Sequence, residues 1–111
     1  MTKIYVDDIR EPVASGFIRF FTTNDTLGFI RRMYKAGNYE FYLDLDNDAG
    51  DYNAPSNGGD YINILKTLED MRGCGHIRNM LLQIHIHSMN PVAVQNMRAI
   101  INHNKNWMSE V

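Results

Sequence analysis

The sequence contains almost no cysteine, the residue whose disulfide bonds stabilise many small proteins. It contains one cysteine, Cys74, in 111 residues, so no disulfide can form within the chain. Because disulfides are rare where thiols are kept reduced, we expect a protein of the cytoplasm. A chain of this length buries roughly two-thirds of its unfolded surface, which is enough for a hydrophobic core without covalent cross-links. We therefore expect a single domain, residues 1–111.

Long hydrophobic runs are also missing, which excludes a helical membrane protein. A helix that spans a bilayer needs about 20 consecutive apolar residues, and no stretch of the sequence approaches that length. The first residues, MTKIYVDD, do not resemble a signal peptide. The formal net charge of −2 neither favours nor excludes binding to nucleic acid. The sequence thus predicts a soluble protein that does not associate with a membrane.

Positive charge is missing from one segment in particular. Between Ala36 and Leu65 there is no lysine or arginine, and the segment is acidic. Its acidic residues are Glu40, Asp44, Asp46, Asp48, Asp51 and Asp60. Carboxylates that lie close together repel one another and resist burial, so water, a cation or basic neighbours must offset their charge. The segment is therefore either a solvated loop or part of a cation site.

Hydrophobic periodicity predicts seven secondary-structure elements. Apolar runs rich in β-branched and aromatic residues predict strands over 3–7, 17–23, 39–46 and 79–88. Apolar residues at helical spacing predict helices over 23–37, 60–73 and 90–108. The expected N-caps are Asn24 or Thr23, Asp60, and Asn90 followed by Pro91. The order of the elements favours an α/β domain with a small, mostly parallel sheet of four strands.

Polar residues follow three of the predicted strands, at the edge where ligands bind in open α/β sheets. They are Asp7, Asp8 and Arg10 after the first strand, Asp44, Asp46 and Asp48 at the third, and His85, His87, Ser88 and Asn90 at the fourth. Side chains alternate along a strand, so Asp44 and Asp46 share one face, as do His85 and His87. A solvated sheet face would explain Asp44 and Gln83. It explains less well why polar clusters end three strands.

The polar edge combines the features of a cation site and of an anion site. Converging carboxylates suit a hard cation such as Mg²⁺, which binds one or two carboxylates together with water and phosphate oxygens. The predicted start of the last helix, near Ser88 and Asn90, offers backbone N–H groups to an anion at the same edge. A cation site beside an anion site of phosphate size points to phosphate-ester chemistry.

Four motifs occur together in the chain: KIYVDDIREP, LDNDAG, GGDY and IHSMNP. In combination they resemble the cyclic-phosphate-processing receiver-like domain family, whose members are small and often come from phages or bacteria. The resemblance implies a three-layer domain like the receiver domains of two-component systems, with Mg²⁺ or Mn²⁺ bound in an acidic pocket. It also implies a role on cyclic phosphates, either those of cleaved RNA ends in RNA repair or those of cyclic nucleotides.

By motif, the resemblance assigns the site to Asp7, Asp8, Asp46, Asp48, His87, Ser88 and Asn90, with Arg10 matching the family's Asp-Asp-x-Arg. The expected metal ligands are Asp7, Asp8, Asp46 and Asp48. The expected catalytic residues are His87, Asp46 and Arg10, and the expected substrate-binding residues are Ser88, Asn90 and Arg10. Asn47 stands where a histidine is common in the family, and His85 is a candidate to replace it. Ala49 stands where leucine is common, and Asp44 is expected to support the site less directly.

Each assignment has a simpler alternative. Asn90 would serve as a helix cap, Ser88 as a turn residue, and Arg10 as a salt-bridge partner of the aspartates. For the whole protein, one alternative is a module that binds a nucleotide or another phosphate-containing ligand without cleaving it. Another is a small phage-type protein that binds a host protein through a surface with Tyr52, Trp107 and some of the seven methionines.

Overall fold

Strands and helices alternate along most of the chain, and the computed structural model describes all of residues 1–111. The strands are β1 (Thr2–Val6), β2 (Phe17–Phe20), β3 (Glu40–Leu45), β4 (Leu81–Ile86) and β5 (Met108–Glu110). The helices are α1 (Thr23–Lys35), α2 (Ile62–Gly73) and α3 (Pro91–His103). Two short 3₁₀ turns, Gly50–Tyr52 and Pro55–Asn57, lie between β3 and α2. None of the helices has the length and hydropathy that a membrane span requires.

All five strands pair in parallel in one sheet, in the order β2-β1-β3-β4-β5. This confirms the α/β class and the receiver-like arrangement, with five strands where four were predicted. The segment predicted to continue the last helix turns at Asn104 instead, where the backbone N–H of Met108 bonds to the Asn104 carbonyl (2.8 Å). The Trp107 indole donates to the Asn104 side chain (3.1 Å) and is 4% exposed. Trp107 therefore belongs to the core, and the prediction that it lies on a docking surface is wrong.

The three helices form one layer on one face of the sheet. The connections that contain them cross the sheet in the same direction, from β2 to β3, from β3 to β4 and from β4 to β5. Because such crossovers are right-handed, they place their helices on the same face. Only the step from β1 to β2 runs the other way, and residues 7–16 make it without a helix. The domain therefore has two layers where three were expected.

Alternation along the strands separates the two faces of the sheet. Ile4, Leu43 and Ile84 are fully buried on the helix-covered face, and they belong to a core of 20 residues that Leu65 and Met97 reach from α2 and α3. We call the other side the open face. Most of its side chains are polar or aromatic, among them Lys3, Tyr5, Phe17, Arg19, Tyr42, Asp44, Gln83 and His85.

Two of the predicted helix caps differ in the structure. The cap of α1 is Thr22, whose side chain accepts a hydrogen bond from the backbone N–H of Asp25 (3.0 Å). The predicted caps were Thr23 or Asn24, so the cap lies at least one residue earlier than predicted. The second predicted cap, Asp60, does not cap α2, because its carboxylate accepts a hydrogen bond from the N–H of Ala49 (3.2 Å). Asp60 thereby holds the acidic loop after β3 against the start of α2.

Candidate active site

The carboxyl edge of the sheet brings together one residue from each of three strands. The last residues of β1, β3 and β4 are neighbours in the sheet register, and the residues that follow them are Asp7, Asp46 and His87. Backbone hydrogen bonds continue the ladder by one step, from Asp46 to Val6 (3.0 Å) and from His87 to Leu45 (2.9 Å). One ligand atom of each of the three side chains lies within 4.8 Å of the others. We call Asp7, Asp46 and His87 the edge cluster.

The imidazole of His87 is held between two carboxylates. Its Nε2 lies 2.9 Å from Oδ2 of Asp7, and its Nδ1 is hydrogen-bonded to Oδ1 of Asp44. Ionised carboxylates only accept hydrogen bonds, so both ring nitrogens donate and the ring carries a positive charge. Burial alone would lower the pKa of His87, but the hydrogen bonds to Asp44 and Asp7 outweigh it and raise the pKa above its ordinary value.

Asp44 has a more direct part in the site than the sequence predicted. It lies opposite His85 in the sheet register, and its carboxylate reaches the next histidine along, His87. His85, the candidate to replace the family's usual histidine, bonds through Nδ1 to the backbone carbonyl of Val111 (3.0 Å). The structure therefore pairs Asp44 with His87 and leaves His85 outside the edge cluster.

Tyr5 is a further residue of the site that the sequence did not indicate. Its ring stacks on the imidazole of His87, with centroids 4.9 Å apart and planes 5° apart. Burial and the charges of Asp7 and Asp44 raise the pKa of Tyr5, so the phenol stays neutral around pH 7. The sheet register explains the contact, because Tyr5 lies beside Asp44 on the open face. The stack and the two carboxylates together fix the orientation of the imidazole.

Asp7 is the most enclosed member of the edge cluster, with 1% of its side chain exposed. Its Oδ1 accepts hydrogen bonds from the backbone N–H groups of Ile9 (2.9 Å) and Arg10 (3.0 Å), which closes a turn directly after β1. Burial would raise the pKa of Asp7, but these N–H groups and His87 outweigh it and lower the pKa. Asp7 is therefore ionised at neutral pH.

Asp46 lies beside this negative charge with little compensation. Burial, and then the charge of Asp7, raise the pKa of Asp46, while the backbone N–H of Asn47 (2.7 Å), His87 and Arg10 act in the opposite direction. Two carboxylates of this kind match the oxygen ligands that Mg²⁺ prefers. The two carboxylates of Asp7 and Asp46 thus fit a hard divalent cation, which would offset the repulsion between their negative charges.

The two other predicted metal ligands, Asp8 and Asp48, lie outside the edge cluster. Asp48 is exposed, and its carboxylate accepts a hydrogen bond from the backbone N–H of Gly50 (2.9 Å) within the acidic loop. Asp8 packs against the same glycine, which has φ +55°, and a Cβ there would lie 2.1 Å from the Asp8 carboxylate. Burial and the charges of Asp7, Asp48 and Asp51 raise the pKa of Asp8.

Of the predicted substrate-binding residues, Ser88 and Asn90 form local hydrogen bonds at the start of α3, whereas Arg10 is exposed. The Asn90 side chain caps α3 by accepting hydrogen bonds from Val92 (3.1 Å) and Ala93 (3.2 Å), and Ser88 accepts one from the Asn90 N–H (3.2 Å). Asn90 is thus the helix cap and Ser88 the turn residue that the simpler alternatives describe. The Arg10 side chain is exposed and forms no salt bridge with the aspartates, so its guanidinium is free to meet a ligand.

A groove of about 820 Å³ runs from the edge cluster onto the open face. Tyr5, Tyr42 and Phe17 line its floor, together with Asp44 and both strand-end histidines, and residues 10–14 of the β1–β2 loop line its side. Its volume is in the range of small-molecule sites. The uncovered face of the sheet is therefore continuous with the site at its edge.

The sequence matches a family model over most of its length. The model described as cyclic-phosphate processing receiver domain matches residues 2–103, which is most of the chain and includes the whole edge cluster. No curated protein and no solved structure matches the chain.

Proposed function

Because the chain belongs to the cyclic-phosphate processing receiver domain family, we propose that it is a divalent-metal-dependent phosphoesterase that opens cyclic phosphates of RNA ends or cyclic nucleotides. The observation that carries this proposal is the histidine held as an imidazolium between Asp44 and Asp7, next to the carboxylate of Asp46. A proton donor beside a cation-binding pair of carboxylates is the combination that phosphoester cleavage needs.

His87 acts as the general acid in this proposal. A general acid must carry its proton before the reaction, and the hydrogen bonds to Asp44 and Asp7, which raise the pKa of His87 despite burial, favour the protonated ring. Asp44 stabilises the imidazolium through Nδ1 and fixes the ring, in the way that a third group orients the base of a catalytic triad. Nε2, which now faces Asp7, is the nitrogen that gives its proton to the ligand.

The carboxylates of Asp7 and Asp46 would hold the divalent cation. When bound there, such a cation would neutralise charge on the phosphate and lower the pKa of water. The exposed guanidinium of Arg10 binds the non-bridging oxygens of the phosphate, for which its planar donors are suited. These residues approach the phosphate from the ends of β1 and β3, while His87 approaches it from the end of β4.

The reaction is a hydrolytic ring opening. The oxygen of water bonds to phosphorus, and one of the two ester P–O bonds of the ring breaks. The oxygen that is released takes the proton of His87 Nε2, and the proton lost by the water passes through solvent to restore the imidazolium. The product is a phosphate monoester when the ring bridges two hydroxyls of one sugar.

Incubation with oligonucleotides that end in a 2′,3′-cyclic phosphate, with and without Mg²⁺ or Mn²⁺, tests this proposal. We expect metal-dependent turnover, a loss of about 10²- to 10⁴-fold in His87→Gln, and no turnover in Asp46→Asn. Asp70→Asn changes an exposed aspartate on α2 outside the site, and it should be as active as the unchanged protein. Absence of turnover of oligonucleotides and of cyclic nucleotides with every metal would refute the enzyme.

A second candidate function is a module that binds the nucleotide without cleaving it. It is favoured by one observation, which is that both ring nitrogens of His87 are bound to carboxylates and the ring is 14% exposed. In that case the ligand would bind with metal and be recovered unchanged after long incubation. Calorimetric titration combined with chromatography of the recovered ligand separates the two functions.

A further inference from the structure

The open face has a composition that differs from an ordinary solvated sheet surface. Three aromatic residues lie together on it: Phe17 is 6.2 Å from Tyr5 and 5.8 Å from Tyr42 between ring centroids, with edge-to-face geometry in both pairs. Tyr42 and Phe17 are partly exposed, and both line the groove. No helix covers this aromatic floor, although uncovered sheet faces in antiparallel proteins usually present polar side chains to water.

Positive charges lie at both ends of this floor. Arg10 is beside the edge cluster, and Lys3 is at the far end, with its Nζ 5.7 Å from the centroid of the Phe17 ring. Asp7 follows Lys3 by four residue steps, which corresponds to roughly 13 Å along the strand direction. Tyr42 lies beside Lys3 in the sheet register, two residues before Asp44. Tyr42 and Asp44 are therefore successive side chains on the open face, so the aromatic floor lies directly beside the carboxylate that holds His87.

We propose that the open face binds the base of the nucleoside that carries the cyclic phosphate, by stacking it on Tyr42 and Phe17, so that the ligand is an RNA 3′ end or a nucleotide. The proposal rests on the proposed function for the position of the phosphate at the edge cluster. Aromatic side chains on a sheet are a common platform for unpaired bases, because every base has a face to stack. With the phosphate at His87 and Arg10, the base of the same nucleoside lies over the groove.

Lys3 adds a preference for a strand over a single nucleotide. Lys3 lines the groove at the end away from His87. In this proposal the backbone of a longer RNA continues past that end. Contacts of lysine to backbone phosphates increase affinity without reading sequence. We therefore expect an RNA end to bind more tightly than the corresponding mononucleotide, and Lys3→Ala to remove most of that difference.

The test uses a short single-stranded RNA whose last base is the fluorescent base 2-aminopurine, ending in a 2′,3′-cyclic phosphate. Stacking on an aromatic ring quenches this fluorescence, so binding to the groove has a signal that does not depend on turnover. The titration is done in EDTA and again with Mg²⁺. We expect quenching with the unchanged protein and with Tyr42→Phe, and roughly 5- to 150-fold weaker binding with Tyr42→Leu.

Tyr39→Leu is the matched control, because Tyr39 is a partly exposed tyrosine before the start of β3, at the opposite edge of the sheet. Phe17→Leu is a second variant of the stacking platform, for use if Tyr42→Leu does not fold. Thermal unfolding shows which variants are folded. Independently of any substitution, a cyclic phosphate of ribose without a base should be a poorer ligand or substrate by a similar factor. Equal behaviour of the ligands with and without a base would overturn the proposal.

The outcomes separate this inference from the proposed function. Quenching without turnover by any metal supports the stacking site and refutes the phosphoesterase. Turnover without quenching, at the same kcat/KM for the ligand without a base, supports the phosphoesterase and refutes the stacking site. A stable dimer that covers Tyr42 and excludes the fluorescent RNA would also refute it, and sedimentation velocity detects that case.

Discussion

The two faces of the sheet are built from the same five strands and differ in almost every other respect. Toward the helices, alternate residues such as Ile4, Leu43 and Ile84 are fully buried and apolar. On the open face, their neighbours Tyr5, Asp44 and His85 are polar or aromatic, and some of them contact His87. One set of residues therefore supplies stability and the other supplies chemistry, at positions one residue apart.

The largest expected effect comes from the helix-covered face. Leu43→Ala should lower the free energy of unfolding by about 2–5 kcal/mol, because it leaves a cavity under α2 and α3 in a fully packed core. Urea unfolding measures this change. Gln83→Ala, on the open face, is the control and should change stability little. Equal losses in the two variants would contradict the division of roles between the faces.

The next effect concerns the cation at the edge cluster. If Asp7 and Asp46 bind Mg²⁺ only in the folded state, a concentration of one hundred times Kd stabilises the protein by about 2.7 kcal/mol. Thermal unfolding at increasing Mg²⁺ measures the shift, which Asp46→Asn should remove and Asp70→Asn should not. A Tm that is independent of both Mg²⁺ and Mn²⁺ would argue against the metal site.

A smaller effect is expected from pH. The pKa of His87 is higher in the folded than in the unfolded chain, so its contribution to stability is complete below about pH 6.5 and is lost as pH rises through the folded pKa. Each unit of difference corresponds to about 1.4 kcal/mol. NMR titration of His87 measures its pKa, and unfolding experiments between about pH 5 and 9 measure the loss of stability. In Asp44→Asn the pKa should fall, so the loss should be smaller and should end at a lower pH, whereas an unchanged pKa would contradict the pairing.

The smallest effect is expected from an exposed ion pair at the β5 edge of the sheet. Arg98 on α3 forms a two-point contact with Glu110 on β5, with Nε 2.9 Å from both carboxylate oxygens. The pair is exposed to water and salt, so Arg98→Ala should leave the unfolding midpoint close to that of the unchanged protein. A large loss in this variant would show that the β5 edge matters more to stability than the comparison of faces implies.

Much of the fold and the centre of the site could be predicted from the sequence. The alternation of elements indicated a parallel α/β sheet, and the rule that ligands bind at the carboxyl ends of strands selected Asp7, Asp46 and His87 among a larger set of polar residues at the same strand ends. Local sequence also indicated Asn90 as a cap, since Pro91 follows it. These predictions depend only on neighbours in the chain, which is why they hold.

The remaining features depend on which strands are adjacent and in what register. The direct bond of Asp44 to His87 and the stack of Tyr5 on its ring follow from β1, β3 and β4 lying side by side. The single helix layer follows from the direction of each crossover, which the order of elements does not give. β5 was missed because the helical pattern of α3 continues toward Trp107, and the turn at Asn104 is made by side-chain hydrogen bonds.

The backbone hydrogen bonds that position Asp46 and His87 determine which parts of this site can vary during evolution. Since they extend the ladders of the sheet, the distance between the groups that meet the phosphate is set by the strand spacing of about 4.8 Å. Loops around the site can therefore be lengthened or shortened, and side chains at its rim exchanged, while that distance stays the same. An insertion inside β1, β3 or β4 would instead rotate a whole strand's side chains to the wrong face. New ligand preferences can thus arise in the β1–β2 loop and on the open face without rebuilding the chemistry at the edge.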